Sequence, residues 1–315
     1  MRPHALLLPI LLVALLVPAC DRAVDPATGD DAGVSTARLI GQARDLDLAG
    51  RHAEAIPIFR RALARDADSF DAHYGLARAL DLDGQYAEAR EHFTRAIALA
   101  SDSTREQAQR MLGIAWTFAG DAGEAAPWFR RVYDARLAAG NLLDAADVAS
   151  ELGRVYLELD DVDQAETWYR TGFETSEREP GRTPAQVNLA AFRWAHAQAR
   201  IAARRGSEAE ARRRMAAARE ILDRGGNDDQ RIQYAYLAGY VEYSLGHDRA
   251  AIEALERADQ EDPFILLLLA RAHERLGEVD AAHAYYARVL ASSSHAVNNA
   301  FARPAARRAL DPAIR

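Results

Sequence analysis

Lysine is absent from this 315-residue chain; all 39 of its basic residues are arginine. A phosphate-binding loop of the Walker type is thereby excluded, because that loop needs a lysine on the phosphates. Gly225-Gly226, the one glycine pair that invites the comparison, has neither lysine nor Ser/Thr beside it. Cysteine is nearly absent as well. The single Cys20 rules out a disulfide framework and any Cys-based zinc or iron–sulfur site. Positive charge is not in excess: 47 acidic residues leave a net charge of −8, which argues against nucleic acid as the main partner. Beyond the N-terminus no apolar run is long enough to cross a bilayer, Phe264–Leu269 being a short core segment. No stretch alternates with period two, so strands are not expected. What the chain does have is 49% hydrophobic residues, enough to bury a core. The all-arginine usage is read mainly as a compositional bias, with functional meaning only where position adds one.

Residues 1–19 read as an export signal, with Arg2 ahead of the almost wholly apolar Ala5–Val17. The run ends in Val17-Pro18-Ala19-Cys20, which resembles the lipobox of bacterial lipoproteins. The resemblance implies that Cys20 is lipidated and becomes the first residue of the mature chain. Ordinary secretory cleavage near Ala19, with an incidental cysteine, is the alternative. Residues 20–35, rich in Asp, Ala, Gly and Pro, read as a flexible tether with a reach of roughly 20 Å.

From about Thr36 the chain repeats. The markers are turn residues Gly50, Gly84, Gly120, Asp160, Gly206, Gly246 and Gly277. Seven residues before each stands Ala or Gly, and five after each stands Ala. Nine after comes a large apolar residue (Phe59, Phe93, Phe129, Tyr169, Met215, Leu255, Tyr286), and twelve after a small or β-branched one. Two antiparallel helices per copy explain the pattern. Small residues let the pair approach, and the large residue is expected to fill the gap toward the next hairpin. Ser207 with Glu210 reads as a capping box, approximated by Asp121 with Glu124 and Asp161 with Gln164. The pattern resembles the tetratricopeptide repeat, whose 34-residue period separates Gly50 from Gly84. The later spacings are 36, 40, 46, 40 and 31, with loops at 181–184 and 225–228. The resemblance implies an all-α, right-handed α-solenoid of about seven hairpins over 36–291. Residues 292–315 are expected to form a C-terminal cap, in which Pro304 starts a short helix that covers the last hairpin. A partner-binding tail is the rival reading.

In this family the first helix of each pair lines the concave face. Six residues before the markers stand Arg44, Arg78, Ile114, Arg154, Arg200, Tyr240 and Arg271. With the residues one turn earlier, this gives a stripe of Tyr74, Arg78, Arg110, Arg154, His196, Arg200, Tyr236, Tyr240 and Arg271. Guanidinium forks suit carboxylates, and tyrosines give contact area at low entropic cost. The stripe is therefore a candidate groove for acidic or extended segments of another protein. Equally open is a solvated face whose arginines pair with Asp47, Asp81 or Glu158. Tyr236, Tyr240 and Tyr243 share a face that is either a hot spot or the joint between repeats.

No catalytic constellation emerges. His273-Glu274 begins like a zinc-protease helix, but Gly277 stands where the second histidine belongs. The acid pairs Asp160-Asp161 and Asp228-Asp229 fall at turns. The expectation is a non-catalytic interaction scaffold without cofactor or metal. It would be exported and lipid-anchored in the bacterial cell envelope, facing the periplasm or exterior, with other envelope proteins as partners. The alternative is a structural subunit of an envelope assembly, bound by its edges and convex faces.

Overall fold

Small residues at fixed register, a left-handed turn residue and a large apolar residue recur seven times, and each recurrence folds into a helical hairpin. The computed structural model describes residues 34–311. The expected export signal, Cys20 and most of the tether lie outside the described residues. Among these the secondary structure is wholly helical, with no strand. The hairpins are α1 (Thr36–Leu48) with α2 (His52–Arg65), α3 (Phe70–Asp83) with α4 (Tyr86–Leu99), and α5 (Asp102–Phe118) with α6 (Ala122–Ala138). There follow α7 (Leu142–Glu158) with α8 (Val162–Glu177), α9 (Pro184–Arg204) with α10 (Glu208–Asp223), α11 (Arg231–Ser244) with α12 (Asp248–Leu255), and α13 (Pro263–Arg275) with α14 (Val279–Ala291). A last helix, α15 (Val297–Leu310), completes the order. This is an all-α helical repeat solenoid.

The seven marker residues are the hairpin turns, and all have positive φ; Asp160, at 69°, is the one non-glycine residue among the described residues to do so. The alanines five residues later are buried in all seven copies. The large residues, expected in the gap toward the next hairpin, pack inside their own hairpin at three sites. A Cβ on Gly113, Gly153 or Gly239 would meet Phe129, Tyr169 or Leu255 of the same hairpin at 3.0 Å or less. Only Phe59 is seen to reach forward in this way, lying 2.5 Å from where a Cβ on Gly75 would sit. The caps also differ from expectation. Ser207 makes no side-chain cap, whereas Asp121 and Asp161 each accept the N–H three residues on at 3.0 Å. The full capping box is at Thr183 and Gln186, ahead of Pro184, where the long α9 begins.

The tail departs furthest from expectation. Pro304 does not start a helix but lies buried within α15, which begins at Val297. Besides packing on α13 and α14, α15 crosses to α5. Arg303 donates from Nε to the Leu82 carbonyl at 2.5 Å and from Nη1 to Leu290 and Ser292 at 2.8 and 2.9 Å. Leu82 and Leu290 stand in the last turns of α3 and α14, where carbonyls lack intrahelical partners and a cation is favourable. The Ser293 hydroxyl donates to the Leu48 carbonyl at the end of α1. His295, 2.8 Å from Asp81, sits between the Phe93 and Phe118 rings at 5.4 and 5.2 Å. Residues 292–310 therefore line the inner side of the first three hairpins as well as covering the last one.

Candidate functional site

The arginine–tyrosine stripe divides into three regions. At its start, Arg78 donates to the Ser293 carbonyl at 3.2 Å and approaches Asp47 at 3.2 Å, while the Tyr74 hydroxyl accepts from Gln107 at 3.0 Å. This region is occupied by the chain's own tail. At the far end Tyr236 and Tyr240 are buried, 4% and 1% exposed, and form the joint between α9, α11 and α13. Their rings contact each other and Phe264. Arg271 is half-buried on α13.

The middle region brings Arg110, Arg154, His196 and Arg200 together on α5, α7 and α9. Arg110 forms a two-bond fork on Glu151 at 2.8 and 2.6 Å. Arg154 and Arg200 occupy the same register in successive copies, 46 residues apart, and both line a recess between α7, α8 and α9. The recess has a volume of about 630 Å³. An adjoining hollow of about 450 Å³ is lined by Arg110, Arg136, Glu151 and the start of α15, and it shares Arg154 and Asp147 with the larger one.

Aromatic faces flank the buried Arg200 guanidinium and the half-buried Arg154. Arg200 lies 5.2 Å over Tyr169 and 5.7 Å over Tyr240, and its Nη2 donates to the Tyr169 hydroxyl at 2.7 Å. Arg154 lies 4.8 Å over Phe264 and 5.7 Å over Tyr236. Such stacking suits the planar arginine head. Burial opposes the charge of both, yet nearby Tyr, Glu158 and, for Arg154, Asp262 keep their pKa values above the ordinary arginine value. His196 is pushed well below its usual value, first by burial and then by the charges of Arg200 and Arg154. It is a neutral imidazole at pH 7. Buried Glu158 approaches Arg200 at 4.0 Å and Arg204 at 3.5 Å.

The register reading identified the arginines and His196 but missed what completes the recess. Tyr169 entered only as a core residue. A phenol at a position that is Phe in three other copies was a signal that a polar partner faces it. Phe173 and Trp194, stacked at 5.8 Å and 15°, carry no register signal at all.

Three models of the tetratricopeptide repeat match the chain, over residues 48–115, over 107–131 with 146–171, and over 236–297. No curated protein matches it in sequence. Solved structures with similar chains include a tetratricopeptide repeat protein from Parabacteroides merdae, 13% identical, TM-score 0.49, with 80% of this chain and 91% of that one covered. Another is pilF of Pseudomonas aeruginosa, 18% identical, TM-score 0.43, with 70% and 89% covered. A third is the Rap conjugation gene regulator of the plasmid pLS20 in complex with the Phr* peptide, 15% identical, TM-score 0.45, with 92% and 83% covered.

Proposed function

We propose that this chain, which belongs to the tetratricopeptide-repeat family, is a scaffold for envelope proteins, held in the bacterial cell envelope by a lipid on Cys20. Repeat proteins of this family are generally non-catalytic interaction scaffolds, and a protein partner is the family's general expectation. What carries the reading for this chain is the middle of the inner face. There the two adjoining recesses gather Arg110, Arg136, Arg154, Arg193 and Arg200 in a chain that is acidic overall. An acidic or extended segment laid across them exchanges surface ion pairs for charge-assisted bonds to forked donors. The first part of the stripe, taken by residues 292–295, is not part of this docking face.

The test is capture from native envelope extract with the wild-type chain and with Arg110→Glu/Arg136→Glu. Both residues lie at the smaller hollow, with partly exposed side chains. One or two partners captured by the wild type and lost with the double variant support the reading; equal capture by both overturns it. For the anchor, Cys20→Ser is expected to release the chain from membranes. A variant that still sediments with them overturns that part. The tail's occupation of the inner side of the first hairpins favours one second reading, a structural subunit bound by edges and convex faces. Equal capture by both forms is its signature.

A further inference from the structure

We propose that the larger recess is a binding site for a small amphipathic organic anion, a monocarboxylate with an apolar body. This goes beyond the docking of a protein and does not depend on it. The recess volume of about 630 Å³ falls among those of small-molecule sites.

Its inner end is built for an acceptor. Arg200 and His196 are 5% and 8% exposed, and both line the recess with Arg154. Arg200 Nε and Nη1 and Arg154 Nε are buried donors with no hydrogen-bond partner in the protein, Glu158 Oε1, 4.0 Å from Arg200 Nη1, being unpaired as well. Buried polar atoms are ordinarily paired, and several orphaned together at one cavity mark the place of a missing acceptor. Direct ion pairing at this end is also weak. Arg204 takes Asp160 as well as Glu158, leaving Arg200 with Glu158 at 4.0 Å. Arg154 makes no ion pair among the described residues. Asp262 reaches it only through its field, because its own oxygens accept from the Phe264 N–H and from Asn298. One ligand carboxylate meets this need; a polyanion would face the Glu158 carboxylate.

Elsewhere the recess carries an apolar patch beside polar residues that include Asp147, Gln186 and Arg193. Phe173 and Trp194, half-buried and stacked, stand with Leu189 and Ala190 on the side lined by α8 and α9. A cationic end and an aromatic wall in one cavity select a molecule with a carboxylate at one end and hydrocarbon at the other.

Calorimetric titration of the purified chain with octanoate, octanol and octyl phosphate tests this. Octanoate is expected to bind saturably, one molecule per chain, at least about tenfold tighter than octanol, as a charge-assisted contact implies. Arg200→Gln should weaken octanoate by at least about tenfold. Because Arg200 is buried, Ala190→Trp serves as a second variant that fills the recess and leaves every charge in place. It should abolish octanoate binding while retaining the wild-type circular dichroism. Octanoate and octanol binding alike, no binding by octanoate, or octanoate binding that survives Ala190→Trp overturns the site. Preference for octyl phosphate overturns the carboxylate assignment.

Discussion

Glycine acts in two opposite ways within these helices, and substitution separates them. At Gly239 an added Cβ would lie 2.4 Å from Leu255 Cγ and 3.1 Å from the Leu255 backbone nitrogen, in a buried contact between α11 and α12. At Gly41, on α1, it would meet nothing within 4 Å. Alanine is the better helix former by about 1 kcal/mol, so Gly41→Ala should stabilise by about 0.5–1 kcal/mol. Gly239→Ala should destabilise by about 1–3 kcal/mol, because the helix pair must separate or Leu255 must leave its rotamer. Urea midpoints of the two variants decide it; midpoints that move in the same direction would contradict the close approach. His196 supplies a pH dependence. Unfolded, it takes a proton near pH 6.5, whereas the folded site refuses one until well below that. Stability due to its neutral form is complete above pH 6.5 and is lost on acidification, by at most about 1.4 kcal/mol per pH unit. His196→Asn should flatten the stability profile between pH 6.5 and 5 relative to the wild type, measured by urea unfolding at each pH.

At the scale of the element, α15 shows where reading the sequence stops. Turn residues and small residues declare themselves because their causes are local: a positive φ at Gly50 or Asp160, a close helix pair around Ala55 or Ala125. Arg303 has no such signal. Its donors reach Leu82, 221 residues earlier, and only the packed molecule brings the two together. For the same reason the stripe register was legible, but not its division into tail-covered, open and buried regions. Arg303→Met keeps the length and apolar stem of the side chain but removes the donors to three carbonyls. The expected cost is about 3 kcal/mol, since bonds from a charged group are the stronger kind and buried acceptors are left unmade. A loss below about 1 kcal/mol by urea unfolding would mean that water replaces the guanidinium at no penalty.

In an open repeat array each hairpin touches only its neighbours, and stability is a sum along a line, so the ends fray first. Most contacts between Thr36 and Asp311 obey that rule, with α2 on α3, α4 on α5 and so on to α12 on α13. The tail breaks it. By packing on α13 and α14 while bonding to the ends of α1 and α3 and lying on α5, it ties the last copy to the first three. Opening α3 then takes the Leu82 carbonyl from Arg303 Nε and Asp81 from His295, so the two ends open together. The chain with residues 292–315 intact should therefore unfold in urea as one transition, with amides of α3 and α13 exchanging through the same global opening. Deleting residues 292–315 should return the array to the linear case. Protection in α1–α4 and α13–α14 should fall by more than in α7–α8, and the urea transition should broaden because its ends melt before its centre. Native-state hydrogen exchange on both forms reads this directly. If protection falls evenly along the truncated chain, the tail is an ordinary cap on the last hairpin and the tie to the first copies contributes nothing to cooperativity.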